Sequence, residues 1–277
     1  MRLNIQQKPS FFRRHLALFL IILAAILVSG AFVSIEYLRV QREIEQDEQN
    51  AETRKVEYEN AVAIYQSRLN AAHQAEENAT TTAPAYAENC TSVANASAID
   101  VVVNKTYCFD PLDWTPSDLT SIGGEYQLRA EAAENYQAML TAATNAGASF
   151  TPSSAFRSYS DQVSTYNYWV SANNSVEAAD LVSARPGYSE HQTGLVVDLK
   201  SGSCVLACFA TTSAYTWLTE HAADYGFIQR YPEKLTSITG YTTEAWHWRY
   251  VGTDIAHEMK RLDIKTLEVY KDFVNSV

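Results

Sequence analysis

Apolar and polar positions follow several rhythms along the chain, and each change of rhythm marks a change of element. The first is an aliphatic run at 16–28, within a stretch, 15–35, that carries no Asp, Glu, Lys or Arg. Roughly 20 apolar residues cross a bilayer as a helix, so this stretch predicts a transmembrane helix. Arg2, Lys8, Arg13 and Arg14 precede it without an acid, which places the tip at 1–14 in the cytoplasm and everything after the helix outside. A signal peptide cut near Ser29-Gly30-Ala31 is the competing reading. From Glu36 to Asn78 the composition turns polar, without Pro or Gly, and predicts a helical stalk over 36–84. Tyr58, Val62, Tyr65, Leu69 and Ala72 form its one apolar stripe, stepping by four and three residues.

Beyond the stalk the rhythm shortens. Residues 85–115 lack sustained periodicity and read as a loop segment carrying Cys90 and Cys108. The remainder, 116–277, reads as the main domain. Its pattern predicts helices over 125–146, 160–172, 213–225 and 254–262, several of them stopped by Gly. It predicts strands over 195–199 and 245–251. Helices and strands mix without regular βαβ alternation, which points to an α+β fold.

Composition narrows the function. The 277 residues carry a formal net charge of −11, which gives no positive field for a phosphate backbone; nucleic acid is not expected as a partner. The four cysteines, Cys90, Cys108, Cys204 and Cys208, allow three disulfide connectivities. Proximity favours Cys90–Cys108 and Cys204–Cys208 over a four-cysteine zinc site, since neither pair has the usual two-residue spacing.

Two of the six histidines stand among unusual neighbours. His191 lies in the polar turn 189–194, and Asp198 follows inside the apolar strand Leu195–Leu199. A carboxylate there is costly unless paired or bound to metal; with period two it points away from Val197 and Leu199. His247 lies in Glu244-Ala245-Trp246-His247-Trp248. Two His and one Asp leave a fourth position of a tetrahedral metal open for water, a catalytic pattern. Glu244 is then the candidate general base. Ser189 is read as a substrate contact or a cap of the turn; Arg185, Glu190 and Arg249 read as structural.

Four blocks carry a resemblance: Ser-Ala-Phe-Arg-Ser-Tyr at 154–159, Ala-Arg-Pro-Gly-Tyr-Ser-Glu-His-Gln-Thr-Gly at 184–194, Tyr-Gly-Phe-Ile-Gln-Arg-Tyr-Pro at 225–232, and Thr-Gly-Tyr-Thr-Thr-Glu-Ala-Trp-His-Trp-Arg-Tyr-Val-Gly at 239–252. Together they resemble the VanY-type D-alanyl-D-alanine carboxypeptidases, whose metallopeptidase core is similar to that of lysostaphin-like and Hedgehog-type domains. The family order, Ser-x-His, Gly, Asp and later Glu-x-x-His, is present over residues 116–255. Ala245 stands where the family often has Pro. The resemblance implies a small central antiparallel sheet flanked by helices, with Zn²⁺ held by His191, Asp198 and His247 and with Glu244 as base. It implies Arg157 at the substrate, as carboxylate clamp or oxyanion stabiliser; Gln162 is read beside it as a further contact for the terminal carboxylate. The expected substrate is the stem peptide of peptidoglycan, cut by D,D-carboxypeptidase action. L,D-cleavage of tetrapeptides and a non-catalytic wall-peptide-binding module are the alternatives. With the anchor, the expected location is the outer side of the cell membrane.

Overall fold

The computed structural model describes residues 11–275. Arg2 and Lys8 lie outside the described residues, as do the side chains of Arg13, Arg14 and His15. The chain divides into two compact units, residues 1–65 and 66–277.

The described part of the first unit is helical, formed by α1 (Phe11–Glu77). Among the described residues, no helix is long and apolar enough to cross a membrane. This overturns the transmembrane helix expected over 15–35, and with it the single-pass anchoring and the placement outside the cell membrane that rested on it. The apolar residues described there, among them Leu18–Leu23 and Leu27, open a helix that turns charged from Glu36 onward. They do not amount to the roughly 20-residue apolar span a bilayer demands.

The second unit is α+β. Its centre is a four-stranded antiparallel sheet, built from β5 (Thr151–Ser154), β6 (Val196–Lys200), β7 (Phe227–Tyr231) and β8 (Glu244–Tyr250) in the order β5-β6-β8-β7. Two small pairs precede it: β1 (Thr91–Ser92) with β2 (Tyr107–Cys108), and the hairpin β3 (Leu119–Gly123) with β4 (Tyr126–Arg129). The helices are α2 (Ala130–Asn145), α3 (Tyr159–Asn173), α4 (Val176–Ala179), α5 (Ser213–His221), α6 (Thr236–Thr239), α7 (Thr253–Leu262) and α8 (Leu267–Asn275).

The sheet has an apolar face and a chemical face. On the apolar side Val197, Leu199, Phe227, Trp248 and Tyr250 pack with Tyr136 and Met139 of α2 and with Leu218 of α5. Helix α2 can cover the sheet because Ala132, Tyr136, Met139 and Ala143 recur at helical spacing along one stripe. The helix expected from 125 begins only at Ala130. Gly123 and Gly124 take positive φ of 115° and 61° and fold the preceding residues into the β3–β4 hairpin. The helix expected over 213–225 likewise ends as α5 at His221 and closes with a 3₁₀ turn to Tyr225.

The segment 85–115 is stitched to the domain despite its lack of long elements. A disulfide joins Cys90 to Cys108 and another joins Cys204 to Cys208. Phe109 stacks on Trp114 over a small cluster with Val101 and Val103. The Gln192 amide donates to the carbonyls of Leu112 and Trp114 at 2.7 and 2.9 Å.

The last turns of α1, from Gln66, belong to the second unit. Ala72 is buried there, and His73 Nε2 lies 2.7 Å from the Leu262 carbonyl. The Glu76 carboxylate accepts from the backbone N–H groups of Lys265 and Thr266 (both 2.8 Å) and from the Thr266 hydroxyl (2.9 Å). These donors stand just ahead of α8, whose first N–H groups have no partner within the helix. Glu76 thus does from a distant point in the chain what a local cap does. Replacement Glu76→Ala is expected to lower stability by roughly 0.5–2 kcal/mol, read as an earlier urea midpoint; an unchanged midpoint would mean that the contact adds nothing.

Candidate metal centre and cleft

Asp198 reaches the site by alternation. Its neighbours Val197 and Leu199 enter the core, so its own side chain leaves on the other face of β6. Pairing with β8 sets Asp198 opposite His247, and pairing with β5 sets Ser154 opposite Asp198. Trp248 and Tyr250 of β8 enter the same core as Val197 and Leu199, which commits His247 to the chemical face.

Glu244 stands three residues before His247, and strict alternation would place the two on opposite faces. A bulge prevents this. Gln229 pairs with Trp248 and Tyr231 with Glu244, so two steps on β7 span four on β8. Bulges of this kind re-aim side chains beside active sites. Glu244 Oε2 consequently lies 3.2 Å from His247 Nδ1.

His191 arrives from a 3₁₀ turn, Glu190–Thr193, capped by Ser189, whose hydroxyl accepts from the His191 N–H at 3.3 Å. Gly194 then takes φ of +67° and turns the chain into β6. A Cβ at that position would sit 3.0 Å from both Arg129 Cγ and Leu119 Cδ2, so a side chain would be crowded there as well as strained in conformation.

The three side chains offer ligand atoms that all lie within 4.8 Å of one another. His191 Nδ1 is 2.7 Å from the Ala155 carbonyl oxygen. A carbonyl only accepts, so Nδ1 donates and the neutral ring turns its Nε2 lone pair inward. That Nε2 faces Asp198 Oδ2 at 3.3 Å. Asp198 Oδ1 lies 3.2 Å from His247 Nδ1, yet it is buried and takes no hydrogen bond. An unpartnered buried carboxylate oxygen is costly, and lone pairs converging on one point call for a cation between them. Two imidazoles and one carboxylate fit a divalent metal with an open position.

The electrostatics agree. Burial works to raise the Asp198 pKa, but His191 and His247 outweigh it and hold the carboxyl well below its ordinary range. Burial works to lower the pKa of His247, and Asp198, Glu190 and Glu244 outweigh that and raise it. For Glu244 burial wins and the pKa is raised, against the opposing pull of His247.

The cluster lies in a cleft of about 260 Å³, whose walls include Arg157, Gln162, Ser189, Trp169, Tyr241 and Trp246. Arg157 donates through Nη1 to Gln162 Oε1 and through Nη2 to Ser154 Oγ, both at 2.8 Å. Burial lowers its pKa, and the carboxylates of Asp198 and Glu244 oppose the shift. Gln162 is fully engaged: its amide nitrogen donates to the Ala184 carbonyl at 2.7 Å while its oxygen receives Arg157. It therefore holds Arg157 in place. Ser189 is buried with its oxygen on the turn. Of the other histidines, His221 and His257 stand apart, beside Asp224 at 3.8 and 3.0 Å.

Two participants escaped the sequence reading. Ser154 fixes Arg157, and the ring of Tyr231 packs on His247 with centroids 4.7 Å apart. Both fall inside the quoted blocks at 154–159 and 225–232, and membership of those blocks was the only available signal. Trp248 belongs to the core.

Comparison with known proteins agrees with this geometry. The family model described as VanY, D-alanyl-D-alanine carboxypeptidase, matches residues 125–253. YodJ of Bacillus subtilis (strain 168) is 35% identical over 198 residues, which are 67% of this chain and 71% of YodJ. The chain spans only 31% and 44% of the D-alanyl-D-alanine carboxypeptidases of Enterococcus faecalis and Enterococcus faecium that it also matches. Among solved structures, the LD-carboxypeptidase LdcB superposes with a TM-score of 0.61 at 34% identity, over 70% of this chain and 94% of LdcB. A point mutant of the vancomycin resistance D,D-pentapeptidase VanY, in complex with Zn(II), superposes with a TM-score of 0.56 at 26% identity, over 65% of this chain and 100% of that one. With the sheet register, the His–Asp–His cluster and the adjacent glutamate all in place, the chain belongs to the VanY family of D-alanyl-D-alanine carboxypeptidases.

Proposed function

We propose that the chain is a zinc-dependent D,D-carboxypeptidase that removes the terminal D-alanine from peptidoglycan stem peptides. The observation that carries this reading is the buried His191–Asp198–His247 cluster with Glu244 beside it on the floor of one cleft. His191, Asp198 and His247 would hold the metal. The chemistry that zinc supplies in such a site is Lewis acidity, which lowers the pKa of a water towards about 7 and polarises a carbonyl.

The protein's own groups divide the remaining work. Glu244 takes the proton of the attacking water and returns it to the leaving amine; the raised pKa of its buried carboxyl suits a group that must both accept and donate. Arg157 receives the free carboxylate of the substrate through the N–H groups not spent on Gln162 and Ser154. Gln162 positions that guanidinium, and Ser189 holds the turn that presents His191.

The likeness to LdcB favours a second reading, L,D-cleavage of tetrapeptides. The two activities differ in the stereocentre before the scissile bond, which the zinc ligands do not read. Purified muropeptides separate them: D-alanine released from pentapeptide is the expected result. Release from tetrapeptide alone would establish the L,D reading, and release from neither would leave a wall-peptide-binding module.

Two further outcomes are expected. Chelation should abolish turnover and Zn²⁺ restore it, while His191→Ala loses bound zinc and His221→Ala keeps it; full turnover of metal-free protein would contradict the assignment. Glu244→Gln should retain zinc and fold yet lose a factor of about 10² to 10⁴ in kcat. A zinc-loaded variant with near-normal kcat would move the base elsewhere.

A further inference from the structure

Glu190 borders the same cleft, between Ser189 and His191, and its surroundings are unusual. Its side chain is fully buried. Oε1 accepts from Arg230 Nε at 2.8 Å and from Arg249 Nη1 at 2.7 Å. Those two guanidiniums are themselves fixed. Arg230 is held bidentately by Glu268 at 2.8 and 2.6 Å. Arg249 donates to the carbonyls of Ile99 and Val101, both at 2.9 Å, and to that of Tyr250 at 3.0 Å. The carboxylate is therefore clamped by one oxygen, which leaves Oε2 with no freedom to seek another partner.

That second oxygen is buried and takes no hydrogen bond, and the same is true of His247 Nε2. The two unpartnered atoms face each other at 3.7 Å, just beyond hydrogen-bond reach. Two orphaned polar atoms buried side by side, one on an immobilised carboxylate, are best explained as a pair that closes when the imidazole is drawn to its working position.

We infer that Glu190 is a positioning residue for His247: it accepts the Nε2 proton, fixes the tautomer whose Nδ1 lone pair faces Asp198, and so prepares the ring as a metal ligand. The inference rests on the metal reading given above. A carboxylate has no proton to offer here, so Nε2 must carry one, and the lone pair left for a metal is that of Nδ1. The Ala155 carbonyl acts on His191 in the opposite sense, accepting the Nδ1 proton and leaving Nε2 bare. The two ligands are thus held in opposite tautomers by two different acceptors, each aiming a lone pair at the same point. Outer partners of this kind orient a metal-bound histidine and raise its basicity, and losing one costs about 10- to 100-fold in metal affinity. The double arginine clamp explains why the glutamate lies next to His191 in sequence yet serves His247.

The test compares two substitutions in the full chain by zinc competition against a chelator. Glu190→Gln preserves shape and still accepts from the arginines, but no longer presents an anion to Nε2; zinc affinity should fall about 10- to 100-fold. Glu268→Gln strips a carboxylate from the same arginine network without approaching His247, and should leave zinc affinity near that of the wild type. Equal weakening by both would reduce Glu190 to a structural member of the network and overturn the proposal. The second readout is the imidazole ¹⁵N spectrum of the zinc-loaded wild type. It should show His247 protonated at Nε2 and bound through Nδ1, and it decides the matter alone if Glu190→Gln does not fold; an unprotonated Nε2 would overturn the proposal. A wild-type chain that takes up no zinc would instead overturn the metal reading, and this inference with it.

Discussion

The pairing of β6 with β8 is the constraint on which the rest of the second unit depends. One register sets Asp198 opposite His247 on one face and, on the other, sends Val197, Leu199, Trp248 and Tyr250 into a common core. A slip by one residue would exchange the faces, burying a carboxylate among aliphatic side chains and exposing the core. The hydrophobic packing that stabilises the sheet therefore also enforces the geometry of the metal centre. Everything else refines this: the bulge against β7 brings Glu244 round, and the turn at Gly194 lowers His191 onto Asp198.

Behind the centre lies a buried network of Glu190, Arg230, Arg249 and Glu268, balanced in charge. Buried ions are expensive, and breaking such a set by removing one member typically costs about 3–5 kcal/mol. Its persistence beneath the cleft is hard to justify by stability alone, since apolar residues of equal volume would serve as well. Its reach is wide. Arg249 ties the segment around Ile99 and Val101 to the sheet, and Glu268 ties in α8, whose approach is itself capped by Glu76. Segments distant in sequence thus converge on the support of one imidazole.

Much of this was legible in the sequence. The isolated Asp198 in an aliphatic strand announced its own face, the glycine after the 189–193 turn announced the bend, and the Glu244–His247 spacing announced a shared task. The sequence could not show how residues three apart on a strand come to one side, because the bulge arises from pairing with β7 and is not local. Helix propensity alone misread 125–129, where the Gly123-Gly124 turn imposes a hairpin. Glu190 read as structural because its meaning lies in Arg230, Arg249 and His247, forty or more residues away. The apolar run near the N-terminus read as a membrane span by composition; as a described helix it does not reach that requirement.

β6–β8 pairing sets Asp198 beside His247 and the 190–193 turn adds His191, so that two imidazoles and one carboxylate face a single metal, with the four cysteines engaged in disulfides elsewhere. X-ray absorption of the zinc-loaded protein tests this most directly. The account predicts a shell of nitrogen and oxygen at about 2.0–2.2 Å with two imidazoles and no sulfur. A sulfur shell near about 2.3 Å, or a shell without imidazole, would contradict it.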